Sequence, residues 1–333
     1  MAVDRRTFST GLLVAMTAAC TVGSQGKATV PASSWLLYRK RFVAPEGRVV
    51  DTGNGNISHS EGQGYGMLLA AKARDADMFA KMARWTEANL GHKDMALHSW
   101  RYDPSSADPV SDPNNATDGD VLIAWALAIA AQNWSVKAYA ARSQAVRAAI
   151  RQHCVASRYG RSALMPGLAG FETGTALTIN PSYFIWPAFD DFARMDGQGV
   201  WDDVISDSVA LTTLSRFGPD ALPTDWVDLT GHGEVAPASG KPPRFGFDAV
   251  RVPLYAMMGN RPALAAPVAA YWRKCLAQAK PIPAWIDVVT GEEAPYAIST
   301  GGAAVAGRLL GTTMPTQLAS DYFAASLQLL ATG

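Results

Sequence analysis

Ala116-Thr117-Asp118-Gly119-Asp120-Val121-Leu122-Ile123-Ala124-Trp125-Ala126 joins two carboxylates directly to an apolar run. Leu122, Ile123, Ala126, Leu127 and Ala130 fall at helical spacing and form one stripe. Working outward, the same period predicts helices over 32–42, 60–74, 75–90, 117–133, 135–155, 181–195, 198–216, 247–258, 261–279, 298–310 and 315–331. Alternating β patterns are scarce; short strands or irregular loops are expected at 97–103 and 221–246, with a loop at 237–243 around Gly240, Pro242 and Pro243. An all-α chain of eleven helices with short connections is close to the twelve of an (α/α)6 barrel, whose inner helices are apolar around much of their surface.

The 333 residues are 48% hydrophobic and 17% charged, an ordinary globular composition with length for a sizeable core. Net charge is zero, with no basic stripe, which argues against nucleic acid as a partner. The N-terminus reads as a targeting segment, 1–27, ahead of a single domain over 28–333. Asp4-Arg5-Arg6-Thr7-Phe8 precedes an apolar stretch, Gly11 to Val22, that is too short to span a bilayer permanently. Paired arginines in this position resemble a twin-arginine export signal, with an ordinary secretory signal as the alternative. Both predict an exported protein, periplasmic or secreted, with no transmembrane segment after cleavage. Thr17-Ala18-Ala19-Cys20 adds the alternative of a lipoprotein acylated at Cys20. Cys154 and Cys275 could pair after export or stay as buried thiols.

Three acidic segments carry the chemistry: Ser60-Glu61-Gly62-Gln63-Gly64-Tyr65-Gly66-Met67, Ala116–Asp120, and Phe245-Gly246-Phe247-Asp248-Ala249-Val250-Arg251. Each sets a carboxylate at a helix start. Ser60 with Gln63, and Thr117 with Asp120, also fit capping boxes, and Asp248 with Arg251 fits an i,i+3 ion pair. The cap does not account for Gly62, Gly64 and Gly66. Each glycine costs a helix about 1 kcal/mol relative to Ala, so something approaches that backbone closely, either a substrate or a second helix. Asp112, Asn114, Asn115, Asp118 and Asp120 crowd together, but they miss the calcium-loop spacing. His59, His92, His98, His153 and His232 show no metal-ligand spacing, and neither a nucleophile elbow nor a phosphate loop occurs. No metal or cofactor is expected. Convergent carboxylates suit glycoside hydrolysis, in which one acid protonates the leaving oxygen and one base activates water. The acid would have to be desolvated or crowded by a second carboxylate, because a helix N-terminus alone favours ionisation.

With these residues in view, the chain resembles glycoside hydrolase family 8, especially the periplasmic endoglucanases associated with bacterial cellulose synthesis. The likeness runs from about Trp35 to Leu330. Its signatures are Ser60–Met67, Ala116–Ala126, Asn180-Pro181-Ser182-Tyr183-Phe184 and Phe247–Arg251, in that order. The resemblance implies an (α/α)6 barrel and an inverting endo-β-1,4-glucanase acting on cellulose-type glucan, with a functional link to a cellulose synthase complex. By motif, Glu61 is then the general acid, Asp248 the general base, and Asp118 the carboxylate that holds the sugar at the cleavage point. Tyr183 and Arg251 position water, base and sugar, and Trp100 is a stacking platform, with a core tryptophan as its alternative. Members of the family differ over which aspartate supplies the base. Alternatives are a chitosanase, xylanase or mixed-linkage glucanase on the same fold, a glucan-binding assembly protein without catalysis, or a helical-barrel lyase.

Overall fold

The computed structural model describes residues 30–231 and 233–333. The targeting segment with Arg5, Arg6 and Cys20 lies outside them, as does His232. The first helices are α1 (Ala32–Phe42), α2 (Ser60–Lys72), α3 (Ala76–Leu90), α4 (Thr117–Trp134) and α5 (Lys137–Ala149). Then come α6 (Trp186–Asp196), α7 (Asp202–Leu214), α8 (Arg251–Met258), α9 (Pro262–Ala277), α10 (Thr300–Leu310) and α11 (Tyr322–Thr332). Helices α2, α4, α6, α8, α10 and α11 pack each against the next, and α11 returns to α2, so six helices close a ring. Outside it, α3 lies on α2, α5 on α4, α7 on α6, α9 on α8, and α1 on α11. This is an (α/α)6 barrel in which a non-helical segment, 311–321, takes the chain position of the sixth outer helix.

Burial follows the layers. Every residue of α4 from Thr117 to Ala128 is buried, whereas outer α3 buries one face, through Met78, Phe79, Met82, Ala83, Thr86 and Leu90. An inner helix meets neighbours on several sides, which is why its sequence is apolar nearly all round. One hydrophobic cluster runs from Val30 to Ala331.

The glycines of α2 answer to helix packing. A Cβ on Gly64 would stand 2.5 Å from the Leu122 Cβ, and one on Gly119 would stand 2.2 Å from the Ser60 Oγ and 2.8 Å from the Glu61 nitrogen. The backbones of α2 and α4 therefore touch at their N-terminal ends, and this contact sets Glu61 beside Asp118.

Three departures from the sequence expectations bear on the site. The helix expected over 181–195 begins only at Trp186, after a tight 3-10 turn, Pro181–Tyr183, in which Asn180 accepts a hydrogen bond from the Ser182 N–H at 3.0 Å. The helix expected over 247–258 begins at Arg251, which leaves Asp248 on a turn. The helix expected over 315–331 begins at Tyr322. Its upstream carbonyls are taken by side chains instead of a helical ladder: Arg41 donates to Leu318 and Ala319 at 3.0 Å each, and Gln328 to Pro315 and Gln317 at 2.9 Å each.

Strands are short. β1 (Ser58–His59) pairs with β2 (Arg101–Tyr102), antiparallel. β3 (Val155–Arg158) and β4 (Arg161–Leu164) form a hairpin. β5 (Ala176–Ile179), β6 (Val227–Thr230) and β7 (Val235–Pro237) form an antiparallel sheet, and β8 (Arg244–Phe245) pairs with β9 (Ile286–Asp287). The expected helix 135–155 is present as α5 and a π-helical continuation to Cys154, and the hairpin that follows was not expected. α5 stops at Ala149, a π-helical turn covers 150–154, and the chain reverses at Tyr159 and Gly160, whose φ values of 51° and 75° suit a tight two-residue hairpin turn.

Candidate active site

The N-terminal ends of the inner helices supply one constellation. Glu61 is the second residue of α2, Asp118 the second of α4, Arg251 the first of α8 and Tyr322 the first of α11. Asp248 lies three residues before α8, and Tyr183 three before α6.

Arg251 is the hub. Its Nη1 donates to Asp118 Oδ2 at 2.8 Å and also to Glu61 Oε1, while its Nη2 donates to Asp248 Oδ1 at 2.6 Å. The guanidinium carbon stands 5.4 Å from the Tyr183 ring centre and 5.7 Å from that of Phe323. The i,i+3 pair between Asp248 and Arg251 therefore exists, within a larger cluster. Exposure grades outward from the hub: 1% for the Arg251 side chain, 3% for Asp118, 16% for Glu61 and 31% for Asp248. Glu61 and Asp248 reach the surface, each on its own nitrogen of the guanidinium.

One cation faces three carboxyl groups, so full ionisation would leave two uncompensated negative charges in a poorly solvated place. Hydrogen bonding decides where a proton can sit. Asp118 accepts at both oxygens, from Arg251 and from the Gly119 N–H at 2.8 Å. Asp248 also accepts at both, from Arg251 and from Asn180 Nδ2 at 3.2 Å. The Asn180 amide orientation is fixed, because its oxygen accepts from the Ser182 N–H and hydroxyl. In Glu61, Oε1 accepts from Arg251, but among the described residues Oε2 meets only the Tyr322 hydroxyl at 3.3 Å, a group that can donate or accept. Oε2 is thus the oxygen with room for a proton. Desolvation pushes the Glu61 carboxyl up to about 8; Asp118 and Asp248 add to the rise, and Arg251 opposes it. Burial also raises Asp118, against the pull of Arg251.

The turn bearing Asp248 is held from below. Asp225 Oδ1 accepts the backbone N–H of Gly246 at 3.1 Å, Asp248 at 3.1 Å and Ala249 at 2.7 Å. Burial, reinforced by Asp248, pushes the Asp225 carboxyl up to about 7 against those three donors. On the other side, His59 Nδ1 lies 3.0 Å from the Tyr322 hydroxyl, and the His59 ring stacks between Trp100 and Tyr322, with centres 6.0 Å from each.

Of the residues singled out in the sequence, Glu61, Asp118, Asp248, Tyr183 and Arg251 converge. Trp100 stands next to them through His59; it is partly exposed, and its indole N–H donates to Asp112 at 2.8 Å. The capping boxes do not form. The residues before α2 and α4, His59 and Ala116, make no side-chain cap. Gln63 instead donates to Thr86 at 2.8 Å and Gly47 at 3.2 Å, and Asp120 accepts from His98 and Asn115. Cys154 and Cys275 are both free and buried. Among the described residues no His, Cys, Asp and Glu cluster is arranged to hold a metal ion, and no helix is long and apolar enough to cross a membrane. Sequence reasoning missed Tyr322, Asp225 and the role of Asn180 beside Asp248.

A family model described as glycosyl hydrolases family 8 matches residues 2–333. An endoglucanase of Cellulomonas uda is 43% identical over 280 residues, which cover 84% of this chain and 77% of that protein. A probable endoglucanase of Novacetimonas hansenii is 38% identical over 331 residues, 96% of each chain. Among solved structures, a family 8 glycosyl hydrolase endoglucanase from Klebsiella pneumoniae superposes with a TM-score of 0.85 at 42% identity, covering 90% of this chain and 97% of that one.

Proposed function

The chain belongs to glycosyl hydrolase family 8 and is an endoglucanase; from that premise we propose that it cuts internal β-1,4 bonds of cellulose-type glucan with inversion. Glu61 is the general acid and Asp248 the general base. The observation that carries this assignment is the hydrogen-bond inventory: of the three carboxyl groups on Arg251, only Glu61 has an oxygen free of an obligate donor. Glu61 gives its Oε2 proton to the departing glycosidic oxygen. Asp248 takes a proton from a water that attacks the opposite face of the sugar, and the anomeric carbon inverts. Asp118, held by Arg251 and the Gly119 N–H, sets negative charge near the carbon as positive charge develops there. Arg251 and Tyr183 fix the carboxylates, the water and the sugar, and Trp100 offers a flat face for a sugar ring.

The pH dependence of kcat/KM on cellohexaose tests the acid. Glu61 works only while protonated, so activity is expected to fall on the alkaline side as that proton is lost, around pH 8. A fall already centred on the ordinary carboxyl value of 4.5 would contradict the assignment.

Where the enzyme acts is read from sequence alone. Arg5 and Arg6 before a short apolar stretch support export, by a twin-arginine route, with acylation at Cys20 as a variant. An exported endoglucanase meets glucan outside the cytoplasm, and the sequence resemblance to periplasmic endoglucanases associated with bacterial cellulose synthesis supports a role beside a cellulose synthase complex. Cell fractionation tests the location, and activity confined to the cytoplasm would overturn it.

A further inference from the structure

An inverting cleavage ends with its acid one proton short and its base one proton over. Before the next turnover a proton must return to Glu61 Oε2. Arg251 cannot supply it, because a guanidinium keeps its protons. Asp118 is buried with both oxygens occupied. The group that faces Oε2 is the Tyr322 hydroxyl, at 3.3 Å, and behind that hydroxyl stands His59 Nδ1, at 3.0 Å. The imidazole is held in register by stacking between Trp100 and Tyr322, and it is partly exposed, next to Asp51, whose Oδ2 lies 4.0 Å from Nδ1. A continuous line thus leads from solvent to the acid: His59, Tyr322, Glu61.

We propose that His59 and Tyr322 form a proton relay that reloads Glu61 after each cleavage; the proposal rests on the reading of Glu61 as the acid. In the reloading step the Nδ1–H bond of a protonated His59 breaks as a new O–H bond forms on Tyr322. The hydroxyl's own proton passes to Glu61 Oε2. Tyr322 ends neutral, Glu61 ends protonated, and the neutral imidazole takes its next proton from solvent. The charged groups around His59 are Asp51, which favours its protonated form, and Arg101, opposite it across the β1–β2 pair, which disfavours it; burial is the largest influence and lowers it. Burial raises Glu61, so the proton runs downhill from His59 to Glu61. Burial also holds the Tyr322 hydroxyl well above its ordinary value, which makes the handover concerted, with no phenolate left between.

The test compares two substrates. Cellohexaose needs the Oε2 proton, whereas 2,4-dinitrophenyl β-cellotrioside carries a leaving group that departs without one. For Tyr322→Phe and for His59→Asn, the ratio of kcat on the dinitrophenyl substrate to kcat on cellohexaose is expected to rise about tenfold. Imidazole added to His59→Ala is expected to restore cellohexaose turnover. An unchanged ratio overturns the relay. With activity kept, water reloads Glu61 directly; with both activities lost alike, the pair serves only to hold the site together. Glu61→Gln separates the premise from the proposal, since its ratio rises steeply if Glu61 is the acid, whatever the relay variants do.

Discussion

Glu61→Gln is expected to lower kcat on cellohexaose by about a hundred- to ten-thousandfold, the usual worth of a general acid. The substitution is close to isosteric. The Gln oxygen can still accept from Arg251 in place of Oε1, and the amide nitrogen, where Oε2 stands, can donate to the Tyr322 hydroxyl. Because the Glu61 carboxyl is pushed up to about 8, it is mostly neutral at pH 7, and replacing it with a neutral amide changes the charge of the cluster little. The fold and glucan affinity should therefore survive. Steady-state kinetics, with calorimetry of cellohexaose binding, separates these effects. Turnover at the wild-type rate would remove Glu61 from the mechanism.

Arg251→Met attacks the hub rather than the proton. The guanidinium is 1% exposed and binds three carboxyl groups at once, so its loss strands negative charge in a desolvated place. Breaking a buried pair from one side costs about 3–5 kcal/mol. The cost depends on pH with a definite sign. Burial raises Glu61 and Asp118 even with the cation present, and loss of the cation raises both further. The added penalty is absent where these carboxyls are protonated in both proteins, and grows as pH rises through their wild-type folded values, which lie above the ordinary carboxyl range. Urea unfolding at about pH 9 and at about pH 3.5 (the lower edge of that range) should show a large deficit at the first and a small one at the second. An equal deficit at both would mean that Arg251 acts through its packing on Tyr183 and Phe323, and not through charge.

The inner helices were legible because an inner helix is apolar on most of its faces, as α4 is from Val121 to Ala128. The three acidic segments stood out because each set a carboxylate at the head of such a run. Local rules misassigned some of their neighbours. Ser60 with Gln63 has the spacing of a cap, yet Gln63 turns inward to Gly47 and Thr86, contacts set by the ring. Tyr322 was hidden inside an expected helix whose true start depends on Arg41 and Gln328 capturing distant carbonyls. Asp225 works through three backbone N–H groups, and backbone donors leave no trace in a sequence. The glycines of α2 signalled a close approach without saying to what, and the neighbouring helix α4 proved to be the partner.

The central claim is that Glu61 and Asp248 act from opposite sides of the scissile bond, one as acid and one through water. Proton NMR of cellohexaose at the first moments of hydrolysis tests it most directly. The account predicts new reducing ends that appear first as the α-anomer and then mutarotate. Early β-anomer would mean retention, and would contradict the assignment of Asp248 as a base that activates water.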